Sequence, residues 1–150
     1  ILSLKTSYFS LWNKNNFMLY KSIKSKKEVD TSSFFQILNS DSKKILYPKI
    51  NFKKNIINAF LFTTKTCFEI NKYGIEEPNS NLIFDPKMIE VVFLPLLCFD
   101  LKGNRVGYGS GFYDKFLKEC NSNTLKIGLS FFKPENIIED TNSFDVKLDV

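Results

Sequence analysis

"MIEVVFLPLLCFDLKGNRVGYGSGFYDKFL", residues 88–117, decides how the fold is read. Its first part, Met88 to Asp100, is a near-continuous apolar run with no polar alternation. That is the pattern of a strand covered on both faces, as in a parallel sheet. "LKGN" then turns the chain. Gly107, Gly109 and Gly111 follow at alternate positions, three of only six glycines in 150 residues. Phe112, Tyr113, Phe116, Leu117 and Cys120 recur at helical spacing, which predicts a helix starting near Gly111. Strand, glycine turn and helix N-terminus together suit an anion such as phosphate. Glycines let backbone amides converge without a Cβ in the way, and the helix start offers unpaired N–H groups and its positive dipole end. A tight structural turn would account for the same glycines. The segment fits neither GxxxxGK[ST] nor GxGxxG.

Working outward, "LKIGLSFF" (125–132) reads as a further strand, and "ILYPKI" (45–50) as a strand that Pro48 places at an edge or end. Residues 56–62 are another β-rich run, and "FMLYKSI" (17–23) a short apolar one. "TSSFFQIL" (31–38) has helical spacing, with Asp30, Thr31 or Ser32 available as its cap. "YGIEEPNSN" (73–81) reads as a polar turn region. Strands alternating with helices, without internal repeats, predict one α/β layered domain over residues 1–150.

Composition narrows the chemistry. The sequence contains no His, which removes Ser-His-Asp, Cys-His and HExxH catalysis. Carboxylates, backbone amides, Lys, Arg, Tyr or a bound metal remain. The net charge of +5 suits anionic ligands, although a Lys-rich solvated surface gives the same value. Lys21, Lys24, Lys26 and Lys27 form the densest basic stretch, with no interleaved aromatics of an RNA-binding kind. Cys67, Cys98 and Cys120 are too far apart for CxxC chemistry and read as buried thiols in a reducing compartment. No apolar run approaches the roughly twenty residues of a membrane span. The expectation is a cytoplasmic monomer that binds neither nucleic acid nor membrane.

Asp114 falls in the first helical turn beside the glycines. It could hold Mg²⁺ between itself and phosphate oxygens, or simply complement the helix dipole. Arg105 could charge-pair with phosphate, or lie along a strand end.

"LPLLCFDLKGNRVGYGSGFYDKFL" (94–117) resembles the signature of the 5-formyltetrahydrofolate cyclo-ligase family: a Pro, a Phe-Asp, then G-x-R-x-G-x-G-x-G-x-Tyr-Asp. "KEVDT" (27–31), "YPKI" (47–50), "GIEEP" (74–78) and "FDVKLD" (144–149) resemble four more family motifs in the same order. The resemblance implies a three-layer α/β/α sandwich with a mostly parallel sheet. It implies ATP- and Mg²⁺-dependent closure of 5-formyltetrahydrofolate to 5,10-methenyltetrahydrofolate, with no side chain assigned as acid or base. By the same resemblance ATP is contacted by Arg105, Val106, Gly107, Tyr108, Gly109, Ser110, Gly111, Phe112 and Tyr113. The folate is held by Glu28 and Asp30, and bordered by Tyr108, Gly109, Ser110, Gly111 and Phe112. Asp114 and Asp145 are the metal positions.

Plainer roles stand beside these. Glu28 could close a capping box with Ser25, Asp30 could cap the following helix, and Asp145 and Asp149 could be solvated acids. The family's N-terminal helix with Lys-x-x-x-Arg is not reproduced by Lys5 and Lys14, so the domain is expected to lack it. Two other readings follow: a non-catalytic nucleotide- or folate-binding relative, and a nucleic-acid module using residues 21–27.

Overall fold

The computed structural model of the protein describes residues 11–150. In chain order its strands are β1 (Asn16–Met18), β2 (Lys44–Asn51), β3 (Ile56–Leu61), β4 (Cys67–Ile70), β5 (Glu76–Asn79), β6 (Ile83–Phe84), β7 (Val91–Pro95), β8 (Cys98–Phe99), β9 (Arg105–Val106) and β10 (Leu125–Leu129). Helices α1 (Ser32–Ser40) and α2 (Phe112–Glu119) lie between them. Six strands form one sheet in the order β10-β7-β1-β2-β3-β6. β10, β7, β1 and β2 run parallel, and β3 and β6 add antiparallel at one side.

The apolar run of β7 explains the layers. Val91 and Phe93 join a core with Phe17, Ile45 and Leu38, the last from α1. Val92 and Leu94 join a second core with Met18, Leu46, Phe116 and Leu117, the last two from α2. Successive residues of a strand point to opposite faces, so a strand that feeds two cores must be apolar throughout. Each such side chain contributes about 1.5–3 kcal/mol by leaving water. The expected three-layer α/β/α sandwich with a mostly parallel sheet is the fold observed. Among the described residues no helix is long and apolar enough to cross a membrane.

Four local expectations are corrected. β2 is an interior strand; Pro48 is tolerated because β1 pairs only as far as Leu46, leaving Pro48 opposite Ala59 of β3 alone. Residues 76–79 are not a turn but strand β5, which pairs with β4; the turn is at Tyr73-Gly74. The run 88–100 contains two strands, because the chain breaks after Pro95 and resumes in the β8–β9 hairpin. Cys67 is exposed, while Cys98 and Cys120 are half-buried free thiols. Burial pushes the Cys120 thiol up to about 12.

Two features lock the glycine region to the sheet. Asp100 is buried and its carboxylate accepts four bonds: Lys102 N–H (2.9 Å), Asn104 N–H (3.0 Å), Asn104 Nδ2 (2.8 Å) and Ile138 N–H (3.1 Å). Gly103 sits in this turn at φ +80°, where a Cβ would lie 2.6 Å from the Leu148 carbonyl oxygen. That approach is used: Leu148 N–H donates to the Gly103 carbonyl at 2.8 Å. The chain then runs beside β10, the outermost strand. Gly128 N–H donates to the Val150 carbonyl at 2.8 Å, and Lys126 Nζ pairs with Asp149 at 2.8 Å. Residues 148–150 thereby cover an edge that would otherwise present unpaired backbone groups.

Candidate functional site

The glycine turn links β9 to α2, and its residues 107–111 are exposed. Gly109 has φ +83° and Gly111, the N-cap of α2, has φ +62°. No side chain caps the helix, so its first-turn N–H groups point to solvent as an uncommitted set of donors. Open space lies where a Cβ would stand on Gly107, Gly109 or Gly111.

Behind the turn, Arg105, Asp114 and Val146 form a clasp. The Arg105 side chain is 6% exposed; its Nη2 donates to Asp114 Oδ1 at 2.8 Å and its Nη1 to the Val146 carbonyl. Val146 N–H donates to the same Asp114 oxygen at 2.9 Å. Arg105 therefore does not project into the turn, and one Asp114 oxygen is fully occupied. Among the described residues no hydrogen bond reaches the other, Oδ2. Asp145, next in the chain to Val146, is exposed and accepts Asn142 N–H at 2.8 Å.

This donor set fits Mg²⁺ in a particular way. Among the described residues no three His, Cys, Asp or Glu groups cluster to hold a metal by themselves. Mg²⁺ is commonly held by one or two carboxylates together with phosphate oxygens, and Asp114 Oδ2 and Asp145 offer that complement.

The segment 23–30 meets the turn from the other side. Glu28 accepts Ile23 N–H at 2.7 Å and its carboxylate lies close enough to Tyr108 to act on the hydroxyl. It does not close a capping box with Ser25. Burial, then the nearby Glu28 carboxylate, push the Tyr108 hydroxyl above its usual pKa. Tyr113 and Tyr20 are raised as well, by burial first and Glu28 second. Tyr20 donates to the Val29 carbonyl at 2.9 Å. Lys26 Nζ stands 3.9 Å from the centre of the Tyr108 ring, so a cation flanks the turn even though Arg105 does not. Asp30 is exposed and takes the plainer role: Oδ1 accepts Ser32 N–H and Oδ2 the Ser32 hydroxyl, both at 3.0 Å, at the start of α1. These bonds lower its pKa.

Sequence reasoning thus brings Glu28, Tyr108, Tyr113 and Asp114 into one region, with Asp30 just outside and Asp145 beside the clasp. It named Lys26 only within the basic stretch 21–27 and not beside the turn, and it passed over Asp100, whose signal was the Asx-turn sequence "DLKGN". Lys5 lies outside the described residues.

The glycine turn and the uncapped helix start, backed by an ion pair and faced by a carboxylate, thus sit on an α/β sandwich. The chain belongs to the 5-formyltetrahydrofolate cyclo-ligase family, whose family model matches residues 6–147. A 5-formyltetrahydrofolate cyclo-ligase of Haemophilus influenzae is 32% identical over 108 residues, covering 69% of this chain and 58% of that protein. The chain thus spans about three fifths of that relative's length. The structure of Aquifex aeolicus 5,10-methenyltetrahydrofolate synthetase superposes with a TM-score of 0.77 at 27% identity, covering 97% of this chain and 71% of the other. A 5,10-methenyltetrahydrofolate synthetase from Mycoplasma pneumoniae shares the fold, with a TM-score of 0.67 at 22% identity over 99% of this chain and 87% of the other.

Proposed function

We propose that this chain catalyses ATP-dependent closure of 5-formyltetrahydrofolate to 5,10-methenyltetrahydrofolate, releasing ADP and phosphate. The observation that carries the reading is the exposed glycine turn at the uncapped start of α2, with Lys26 over the Tyr108 ring and Glu28 beside it. The N5-formyl oxygen attacks the γ-phosphorus and ADP leaves. N10 then adds to the formyl carbon, the C–O bond breaks with release of phosphate, and the N10 proton passes to solvent. Such chemistry depends on positioning and charge neutralisation more than on a proton-transfer base, which suits a chain without His.

The residues divide the work. Amides of Gly107 to Phe112 hold the phosphates, and Lys26 offsets their charge from beside Tyr108. Glu28, held by Ile23 N–H, orients the folate end, with Asp30 at its margin. Arg105 acts from behind the turn by fixing Asp114. Asp114 and Asp145 would hold Mg²⁺, which when bound offsets charge on the phosphate oxygens.

One observation favours a binding-only relative: Arg105 and Asp114 are spent on each other instead of on a ligand. A single experiment separates the two readings. ATP, Mg²⁺ and 5-formyltetrahydrofolate are mixed with the protein, the methenyl product is followed by its absorbance, and binding of each substrate is measured by calorimetry. Turnover supports the enzyme, binding without turnover supports the relative, and binding of neither substrate overturns both.

A further inference from the structure

Tyr20, just past the end of β1, is attached at two of its atoms to the loop that carries Glu28. Its hydroxyl donates to the Val29 carbonyl at 2.9 Å, and its carbonyl accepts the Thr31 hydroxyl at 2.6 Å. Both residues are buried, Tyr20 at 2% and Thr31 at 3% exposure. Leu19 N–H donates to the Leu46 carbonyl at 2.9 Å, so the residue before Tyr20 is still fixed to β2. The chain thus leaves the sheet after Tyr20 and is tied back to Tyr20 at Val29 and Thr31.

Thr31 is unusual for its place. It stands at the N-cap of α1, where a Thr side chain commonly accepts a bond from the first N–H groups of the helix. Here its side chain caps nothing, and Asp30 accepts Ser32 N–H instead. The Thr31 hydroxyl turns back to Tyr20, so starting the helix does not account for it.

Inside the loop further bonds close on one another. Lys26 N–H donates to the Ile23 carbonyl at 2.9 Å, Lys27 N–H to the Lys24 carbonyl at 3.1 Å, and Ile23 N–H to the Glu28 carboxylate at 2.7 Å. Lys27 has φ +54°, a left-handed backbone that a residue with a side chain adopts only when its surroundings impose it. Segment 23–28 is therefore braced within itself, and its attachment to Tyr20 sets where Glu28 stands.

We propose that Tyr20 and Thr31 are positioning residues, whose two buried hydroxyl bonds hold the 21–30 loop so that Glu28 meets the ligand at the glycine turn. The inference rests on the functional reading above. Both hydroxyls are spent on backbone carbonyls, so the two residues act through Glu28. Removing either bond leaves a buried carbonyl without its donor and loosens the loop. A ligand must then order the loop as it binds, and that cost appears as lost affinity.

The test uses Thr31→Val and Tyr20→Phe, which keep shape and lose one hydroxyl each, and Thr31→Ser, which keeps the hydroxyl. Circular dichroism checks folding, and Tyr20→Phe carries the comparison if Thr31→Val does not fold. Amide exchange is read at Ile23, in the loop, and at Leu19 and Phe35, in the sheet and in α1. Calorimetry measures monoglutamyl 5-formyltetrahydrofolate and ATP. In Thr31→Val and Tyr20→Phe, exchange at Ile23 should speed about tenfold, with Leu19 and Phe35 unchanged. Folate affinity should fall about tenfold and ATP affinity by about threefold at most, and Thr31→Ser should restore both. Folded variants that keep Ile23 protection, or that lose it while folate affinity holds, overturn the proposal. So does exchange that speeds equally at all three amides with both ligands weakened alike, which is the mark of a merely structural role. If 5-formyltetrahydrofolate does not bind the unsubstituted chain, the functional reading fails. Exchange then still decides whether the two residues hold Glu28: faster exchange at Ile23 alone supports it, and any other pattern overturns it.

Discussion

Arg105 is the only arginine in a sequence that otherwise relies on lysine for positive charge. Its surroundings explain the exception. A planar guanidinium can donate to the Val146 carbonyl and to Asp114 Oδ1 at once, whereas an ammonium is a point donor on a flexible stem. Arg105→Lys should cost about 1–3 kcal/mol of stability through one lost charge-assisted bond at a buried position. Chemical denaturation measures this, and an unchanged midpoint would show that the fork is not needed. This role was illegible in the sequence, because the second partner is a backbone carbonyl 41 residues away. Only the juxtaposition of Arg105 and Asp114 near the glycines could be seen.

Asp100 makes a pH-dependent contribution. Burial alone would raise its pKa, but the Asn104 side chain and the N–H groups of Ile138, Asn104 and Lys102 outweigh that and hold it at about 2. The folded value is below the ordinary one, so the stabilisation is complete above about pH 4 and is lost as the pH falls towards 2. Thermal unfolding followed from pH 5 to pH 2 should fall steeply for the natural chain. Asp100→Asn should start lower and fall less; parallel curves would contradict the assignment.

At the scale of elements, the glycine turn separates two roles that a sequence cannot. Gly107 has open space above it and no positive φ, whereas Gly109 has the same open space at φ +83°. Gly107→Ala should therefore keep its stability and lose nucleotide affinity, by about tenfold if the methyl blocks one amide–phosphate bond. Gly109→Ala should lose about 1–2 kcal/mol of stability as well, from the left-handed backbone. Paired calorimetry and denaturation distinguish the two, and equal nucleotide affinity in Gly107→Ala would leave the turn purely structural. Strand β7 and helix α2 were legible because each declares its burial locally, one by an unbroken apolar run and one by helical spacing. β5 was not. Glu76, Pro78 and Asn79 are residues that strands disfavour, and pairing with β4 overrides their preference. Pro48 misled for the converse reason: it marks the missing neighbour of one half of a strand, not the position of the whole strand in the sheet.

Across the whole molecule, the segment 142–150 ties three regions together: Val146 to the clasp, Leu148 to Gly103 and the α2 core, and Val150 to the edge of the sheet. Leu148→Ala should cost about 2–4 kcal/mol by emptying a buried site. It should also speed amide exchange at Val146 and in the glycine turn, which lies far from Leu148 in sequence. Exchange that accelerates only beside Leu148 would show that the segment does not transmit order to the turn.

The clasp also imposes a sequence of events on biosynthesis. Arg105 and Asp114 leave the ribosome well before Val146, and in that interval the guanidinium lacks its carbonyl partner while Asp114 lacks its amide. A nascent chain can lay down β7 and α2, but its glycine turn has nothing behind it. The turn thus gains its backing only once translation has passed Val146, and a fragment aborted earlier would carry the glycines without the clasp that holds them.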